Sequence, residues 1–161
     1  MCNREKFISF LVQNKITVSC AESCTGGLLS SSFVTYPGVS SVFLEGAVTY
    51  SNEAKKRLGV RAETLEQYGA VSHQTAREMA ECIRVRTGSR IGLSTTGIAG
   101  PDGGTRQKPV GLVYVAVATD ASTTSFALRL SGNRTEIRNK TVSAVYTFFI
   151  KKLEEDGYGA D

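Results

Sequence analysis

Tryptophan is absent from the 161-residue chain, and histidine occurs once, at His73. A lone histidine leaves little room for Ser-His-Asp or Cys-His catalysis, because that one residue would have to sit at the site. Cys20 and Cys24 have a metal-like spacing, yet no second cysteine pair follows, and Cys2 and Cys82 stand apart. No metal site is expected, and the cysteines read as buried or half-buried free thiols. There is no basic block and no interleaved aromatic run, and the net charge of +4 is spread along the chain. Nucleic acid is therefore not an expected partner, whereas an anionic small molecule suits the balance. No apolar run approaches the length that crosses a bilayer, and the N-terminus lacks the form of a signal peptide. No membrane association is expected, and the cytoplasm is the expected compartment.

What is present is ordinary globular material, 41% apolar and 21% charged, in a chain long enough to bury one core. Helical spacing of Phe7, Ile8, Phe10, Leu11 and Val12 predicts a first helix over 3–14, followed by a strand over 16–20. A second helix is predicted from about Thr25, and Pro37-Gly38 ends it. A strand in the second half of 41–50 runs into a short helix capped by Ser51 or Asn52, with Lys55 near its start. Helices over 62–68 and from the Ser72 cap to 87 follow; His73 is expected exposed in the first turn of the latter. A strand over 91–98 opens into a glycine-dense loop. A hairpin over 110–119 and 124–130 precedes a last helix over 134–155, with a frayed tail at 156–161. No repeat or linker divides the chain. The expected architecture is a single three-layer α/β/α domain over 1–161, a mixed sheet flanked by helices. Several surface apolar residues and an exposed short helix point to a homo-oligomer.

Four polar clusters fall at strand ends: 22–27, 49–55, 96–105 and 131–138. Together they argue for one shared cleft. None matches a P-loop or a dinucleotide fingerprint. Phosphate would instead be held by backbone N–H groups at the Gly26-Gly27 and Gly103-Gly104 turns, with Arg134 or Arg138 adding paired contacts. Candidate nucleophiles are Ser23, Cys24 and Cys20, each needing a base. A lysine kept neutral by burial serves a serine in Ser-Lys hydrolases, and Lys55 is the best-placed lysine because it too follows a strand end. Tyr50 would relay a proton or fix that lysine. A Cys24-His73 pair remains a weaker alternative.

Several stretches carry a resemblance. They are Ala21-Glu22-Ser23-Cys24-Thr25-Gly26-Gly27, then Val48-Thr49-Tyr50-Ser51-Asn52-Glu53-Ala54-Lys55, and then Gly69-Ala70-Val71-Ser72. Thr96-Gly97-Ile98-Ala99-Gly100-Pro101-Asp102-Gly103-Gly104 and Lys108-Pro109-Val110-Gly111 complete the set. In this order they resemble the CinA C-terminal domain family over essentially the whole chain. The family's stand-alone members are nicotinamide-nucleotide amidases, which turn nicotinamide mononucleotide into nicotinate mononucleotide and ammonia in pyridine-nucleotide salvage. The resemblance implies Ser23 as nucleophile, Lys55 as its base and Tyr50 as an assisting phenol, with no cofactor. It implies substrate contacts from Thr25, Gly26, Gly27, Thr96, Gly97, Gly100, Gly103 and Gly104, and a phosphate contact from Arg134 or Arg138. Longer members carry a further N-terminal domain with pyrophosphatase activity, which is not expected here. The competing expectation is a non-enzymatic nucleotide-binding or protein-interaction module linked to competence or DNA damage.

Overall fold

The computed structural model of the protein describes residues 4–158. The expectations for Cys2, for a helix start at Asn3 and for the last three residues of the tail lie outside them. Helix α1 (Arg4–Gln13) leads into strand β1 (Val18–Glu22), helix α2 (Leu28–Val34) and strand β2 (Phe43–Val48). Helices α3 (Asn52–Leu58), α4 (Ala62–Tyr68) and α5 (His73–Thr87) follow, and then β3 (Ile91–Gly97). Strands β4 (Leu112–Ala118) and β5 (Thr123–Arg129) form the hairpin before α6 (Arg134–Glu155). The sheet order is β2-β1-β3-β4-β5. Strand β1 lies parallel to both β2 and β3, while β4 and β5 are antiparallel additions, so the sheet is mixed as expected.

Alternation along the central strands divides the core into two sides. Val18 and Cys20 of β1, Leu93 of β3 and Val113, Val115 and Val117 of β4 face α1, α2 and α6, where Leu11, Phe33 and Phe149 complete the larger cluster. Ala21 faces the other way, against Leu58, Leu65, Met79 and Ile83 from α3, α4 and α5. All five residues of β1 are buried, the pattern of a parallel strand covered on both faces. Small residues let α5 lie close to the sheet: Ala76 and Ala80 pack on Ala116 and Ala118. A Cβ on Gly92 would run into the Ala80 carbonyl.

Caps set where the helices begin. Ser51 accepts from the Ala54 N–H at 3.1 Å, Ser72 from Thr75 at 3.1 Å, and Asn133 from Glu136 at 3.0 Å within a full capping box. Residues 156–158 are held rather than frayed. The Asp156 carboxylate accepts from Lys152 Nζ and Thr119 Oγ1, each at 2.6 Å, and the Tyr158 hydroxyl accepts from Arg90 at 2.9 Å. After β1 the chain turns back through α2 to β2, whereas after β3 it passes the other way to β4. The connections therefore diverge at the C-terminal ends of β1 and β3, the position at which open α/β sheets commonly place their ligands. Among the described residues no helix is long and apolar enough to cross a membrane.

Candidate active site

Ser23 is the first residue beyond β1, and sheet hydrogen bonds hold the backbone on both sides of it. Its N–H donates to the Thr95 carbonyl at 2.9 Å, and the Thr49 N–H donates to the Glu22 carbonyl at 2.7 Å. The register that pairs Glu22 with Val48 puts the residues after β1 beside those after β2. Helix α3 then starts at once from its Ser51 cap and turns Lys55 back over the strand ends. Lys55 is 1% exposed, and its Nζ donates to the Thr49 carbonyl at 2.8 Å and to Ser23 Oγ at 3.0 Å. Among the described residues no carboxylate pairs with it. Burial pushes its pKa below the usual 10.5, with the Cys24 thiol opposing weakly. A buried amine with no counter-charge favours its neutral form, the form that accepts a proton from a hydroxyl.

The turn between β1 and α2 is tied from two sides. Glu22, fully buried, sends its carboxylate under the turn. Oε1 accepts from the Ser30 N–H at 2.8 Å and the Ser30 hydroxyl at 2.6 Å. Oε2 accepts from Thr25 Oγ1 at 2.5 Å, the Leu29 N–H at 2.9 Å and the Gly27 N–H at 3.2 Å. From above, Arg138 donates to the Cys24 carbonyl at 3.1 Å and the Thr25 carbonyl at 2.7 Å. Two expectations change here. Helix α2 begins at Leu28 rather than near Thr25, because Gly26 and Gly27 adopt left-handed φ of 56° and 97°. The anion seat expected at Gly26-Gly27 is already taken, the Gly27 N–H donating to Glu22 and the Gly26 N–H to the Ser23 carbonyl, and the Thr25 side chain points inward, sharing its hydroxyl with Glu22 and Thr95.

The thiols are poorly placed for nucleophilic work. Burial raises Cys20 well above the ordinary thiol value and pushes Cys24 up to about 12. The histidine is half-buried rather than exposed. His73 Nδ1 lies 2.8 Å from Ser125 Oγ, and its ring meets Tyr114 edge-on. Among the described residues no cluster of histidine, cysteine and carboxylate side chains is arranged to hold a metal ion.

Tyr50 is 59% exposed, and its hydroxyl accepts from Arg134 at 2.9 Å rather than meeting Ser23 or Lys55. The same guanidinium donates to the Gly100 carbonyl at 2.6 Å, so Arg134 bridges the chain after β2 to the loop after β3. In that loop Gly103 and Gly104 are exposed, while Gly100 and Gly104 lie against Val110. Thr96 is buried and donates to the Ala70 carbonyl at 2.7 Å, and Gly97 lies against Val113. Lys108 pins the loop by donating to the Tyr68 carbonyl at 2.7 Å. The structure thus brings Ser23 together with Lys55, and Tyr50 together with Arg134 and Gly100; Arg138 joins the Ser23 turn. Glu22, Thr49 and Lys108 belong to the same region and had no role in the sequence reading. A carboxylate ending a buried strand ahead of Gly-Gly-Leu-Leu-Ser is the signal that marks Glu22.

The family model described as CinA C-terminal domain matches residues 3–153. A solved structure titled competence/damage inducible protein CihA, from Agrobacterium tumefaciens, is 41% identical with a TM-score of 0.88, covering 91% of this chain and 90% of that one. A CinA superfamily protein from Klebsiella pneumoniae 700603 is 30% identical with a TM-score of 0.89, covering 96% and 99%. A Clostridium acetobutylicum protein whose name carries the words "competence-damage inducible protein" is 53% identical over 146 residues, 90% of this chain. The chain spans only 36% of that relative's length.

Proposed function

The chain belongs to the CinA C-terminal domain family, and from that membership and the Ser23–Lys55 contact we propose a Ser-Lys amidohydrolase that deamidates nicotinamide mononucleotide in the cytoplasm. The observation that carries this reading is the 3.0 Å contact between Ser23 Oγ and the buried, carboxylate-free Lys55 Nζ. Neutral Lys55 takes the Ser23 proton as Oγ bonds to the amide carbon. The carbonyl oxygen becomes an oxyanion, for which the Cys24 and Thr25 N–H groups are suitable donors. Neither donates to an oxygen among the described residues. Protonated Lys55 then gives its proton to the departing nitrogen, the C–N bond breaks, and ammonia leaves a nicotinoyl ester on Ser23. Water attacks that ester with Lys55 again accepting the proton, releasing the nicotinate product and restoring the serine hydroxyl. Arg134 and the exposed Gly103-Gly104 turn supply the cationic and N–H donors for the phosphate, in keeping with a seat at Gly26-Gly27 that is already taken.

The words competence and damage in the relatives' names favour a second reading, a nucleotide-binding or protein-interaction module without turnover. Incubating purified protein with nicotinamide mononucleotide, and measuring ammonia and nicotinate mononucleotide, separates the two. Equimolar appearance of both products is expected. Binding of the nucleotide with no ammonia released would overturn the amidase reading in favour of the module.

A further inference from the structure

Glu22 is a fully buried carboxylate that the chemistry of the proposed reaction does not use. A buried carboxylate is costly unless its oxygens are matched by donors, and here five donors converge on two oxygens. All five come from residues 25–30, the segment that follows the nucleophile. Glu22 itself is locked in β1, its carbonyl accepting from Thr49 and its register fixed against Val48 and Thr95. The carboxylate therefore ties a rigid strand end to the next two turns of chain, and Ser23 and Cys24 are the two residues between the anchored ends. Arg138 closes the same turn from the carbonyl side.

We propose that Glu22 is the positioning residue of this site: its carboxylate fixes the 23–30 turn so that Ser23 Oγ faces Lys55 and the backbone N–H groups that follow it are held in place for the reacting oxygen. It acts through the backbone and touches no substrate. The inference rests on Ser23 being the nucleophile of the amidase reading, and it requires a carboxylate rather than an isosteric amide. In Glu22→Gln one oxygen becomes an NH2 group. Either the Ser30 pair or the Gly27 and Leu29 N–H groups then face a donor instead of an acceptor.

The test measures Ser23 reactivity separately from amide turnover. A fluorophosphonate probe reports the first: Ser23 Oγ bonds to phosphorus, fluoride leaves, and the hydroxyl proton passes to Lys55. The second is kcat and KM for nicotinamide mononucleotide. Glu22→Gln is expected to slow labelling of the Ser23 peptide, and kcat, by about 10- to 100-fold, with KM within about threefold of wild type. Thr119→Val, which cuts the bond to Asp156 far from the site, is the control for lost stability and is expected to label at the wild-type rate. Ser30→Ala removes a single donor and is expected to slow labelling by about threefold; it decides the matter should Glu22→Gln not fold. Folded Glu22→Gln, or failing it Ser30→Ala, labelling like wild type overturns the proposal, as does slowing matched by Thr119→Val at equal Tm. Wild-type protein that labels at Ser23 but releases no ammonia removes the amidase reading and leaves positioning to be judged on labelling alone. Wild-type protein that does not label at Ser23 overturns both.

Discussion

Lys55 has no carboxylate partner among the described residues, so burial falls on its charged form alone. Replacing it with methionine keeps the volume and removes the buried amine, at the expense of the Thr49 carbonyl's partner. Lys55→Met is expected to lose turnover by about 10³-fold or more while its Tm stays within about 4 °C of wild type, checked by thermal unfolding beside the ammonia assay. The pH dependence follows from the lowered pKa. In the proposed reaction the working form is the neutral amine, so the rate is expected to rise with pH through Lys55's folded-state pKa, with the midpoint of that limb below 10.5. Between that midpoint and 10.5 the unfolded chain binds the proton and the folded chain does not, so this residue's contribution to stability rises with pH. A pH–rate profile with its ascending midpoint at or above 10.5 contradicts the assignment. Ser23 and Lys55 were legible as candidates because each follows a strand end. Glu22 was not given a role, because a charged residue beside a polar cluster reads as a loop, whereas here it ends a buried strand. Tyr50 reads as a partner for Lys55 from its spacing, yet Arg134, 84 residues away, holds its hydroxyl.

At the scale of elements, periodicity and caps located the six α-helices and five strands of the described residues to within a few residues, and missed the 3-10 turn at Val39–Ser41. Ser51, Ser72 and Asn133 each receive the bond their position suggests. Strand β2 begins at Phe43, ahead of the second half of 41–50, and the turn after β1 is displaced as well. Strand β1 runs on to Glu22 rather than stopping at Cys20, and α2 starts three residues late. The strand runs on because Glu22 still pairs with Val48 and Thr95, and the helix waits because Gly26 and Gly27 take left-handed φ. Residues 156–158 are held although Lys152 and Asp156 look like a solvated pair in sequence, because the two side chains meet Ser122 and Thr119 of the hairpin turn. Close approach of α5 to β3 depends on Gly92, whose missing Cβ makes room for the Ala80 carbonyl and the Arg84 side chain. Gly92→Ala is expected to destabilise the protein by about 1–3 kcal/mol, read from the denaturant midpoint at unchanged m-value. A midpoint equal to wild type would show that α5 shifts freely on the sheet.

At the scale of the molecule, the mixed sheet with helices on both faces was legible from the order of elements. The strand order was not, because which strands become neighbours depends on long-range pairing that no local pattern reports. That pairing brings the site together: parallel β1 and β2 end side by side, and β3 on the other side of β1 carries the glycine loop to the same edge. Residues 32 apart thereby come to 3.0 Å. Ammonia release from nicotinamide mononucleotide by Ser23→Ala, measured beside wild type on protein shown to be folded, tests this account most directly. A loss of about 10³-fold or more at unaltered Tm is the predicted result. Folded Ser23→Ala protein that keeps the wild-type rate would contradict it.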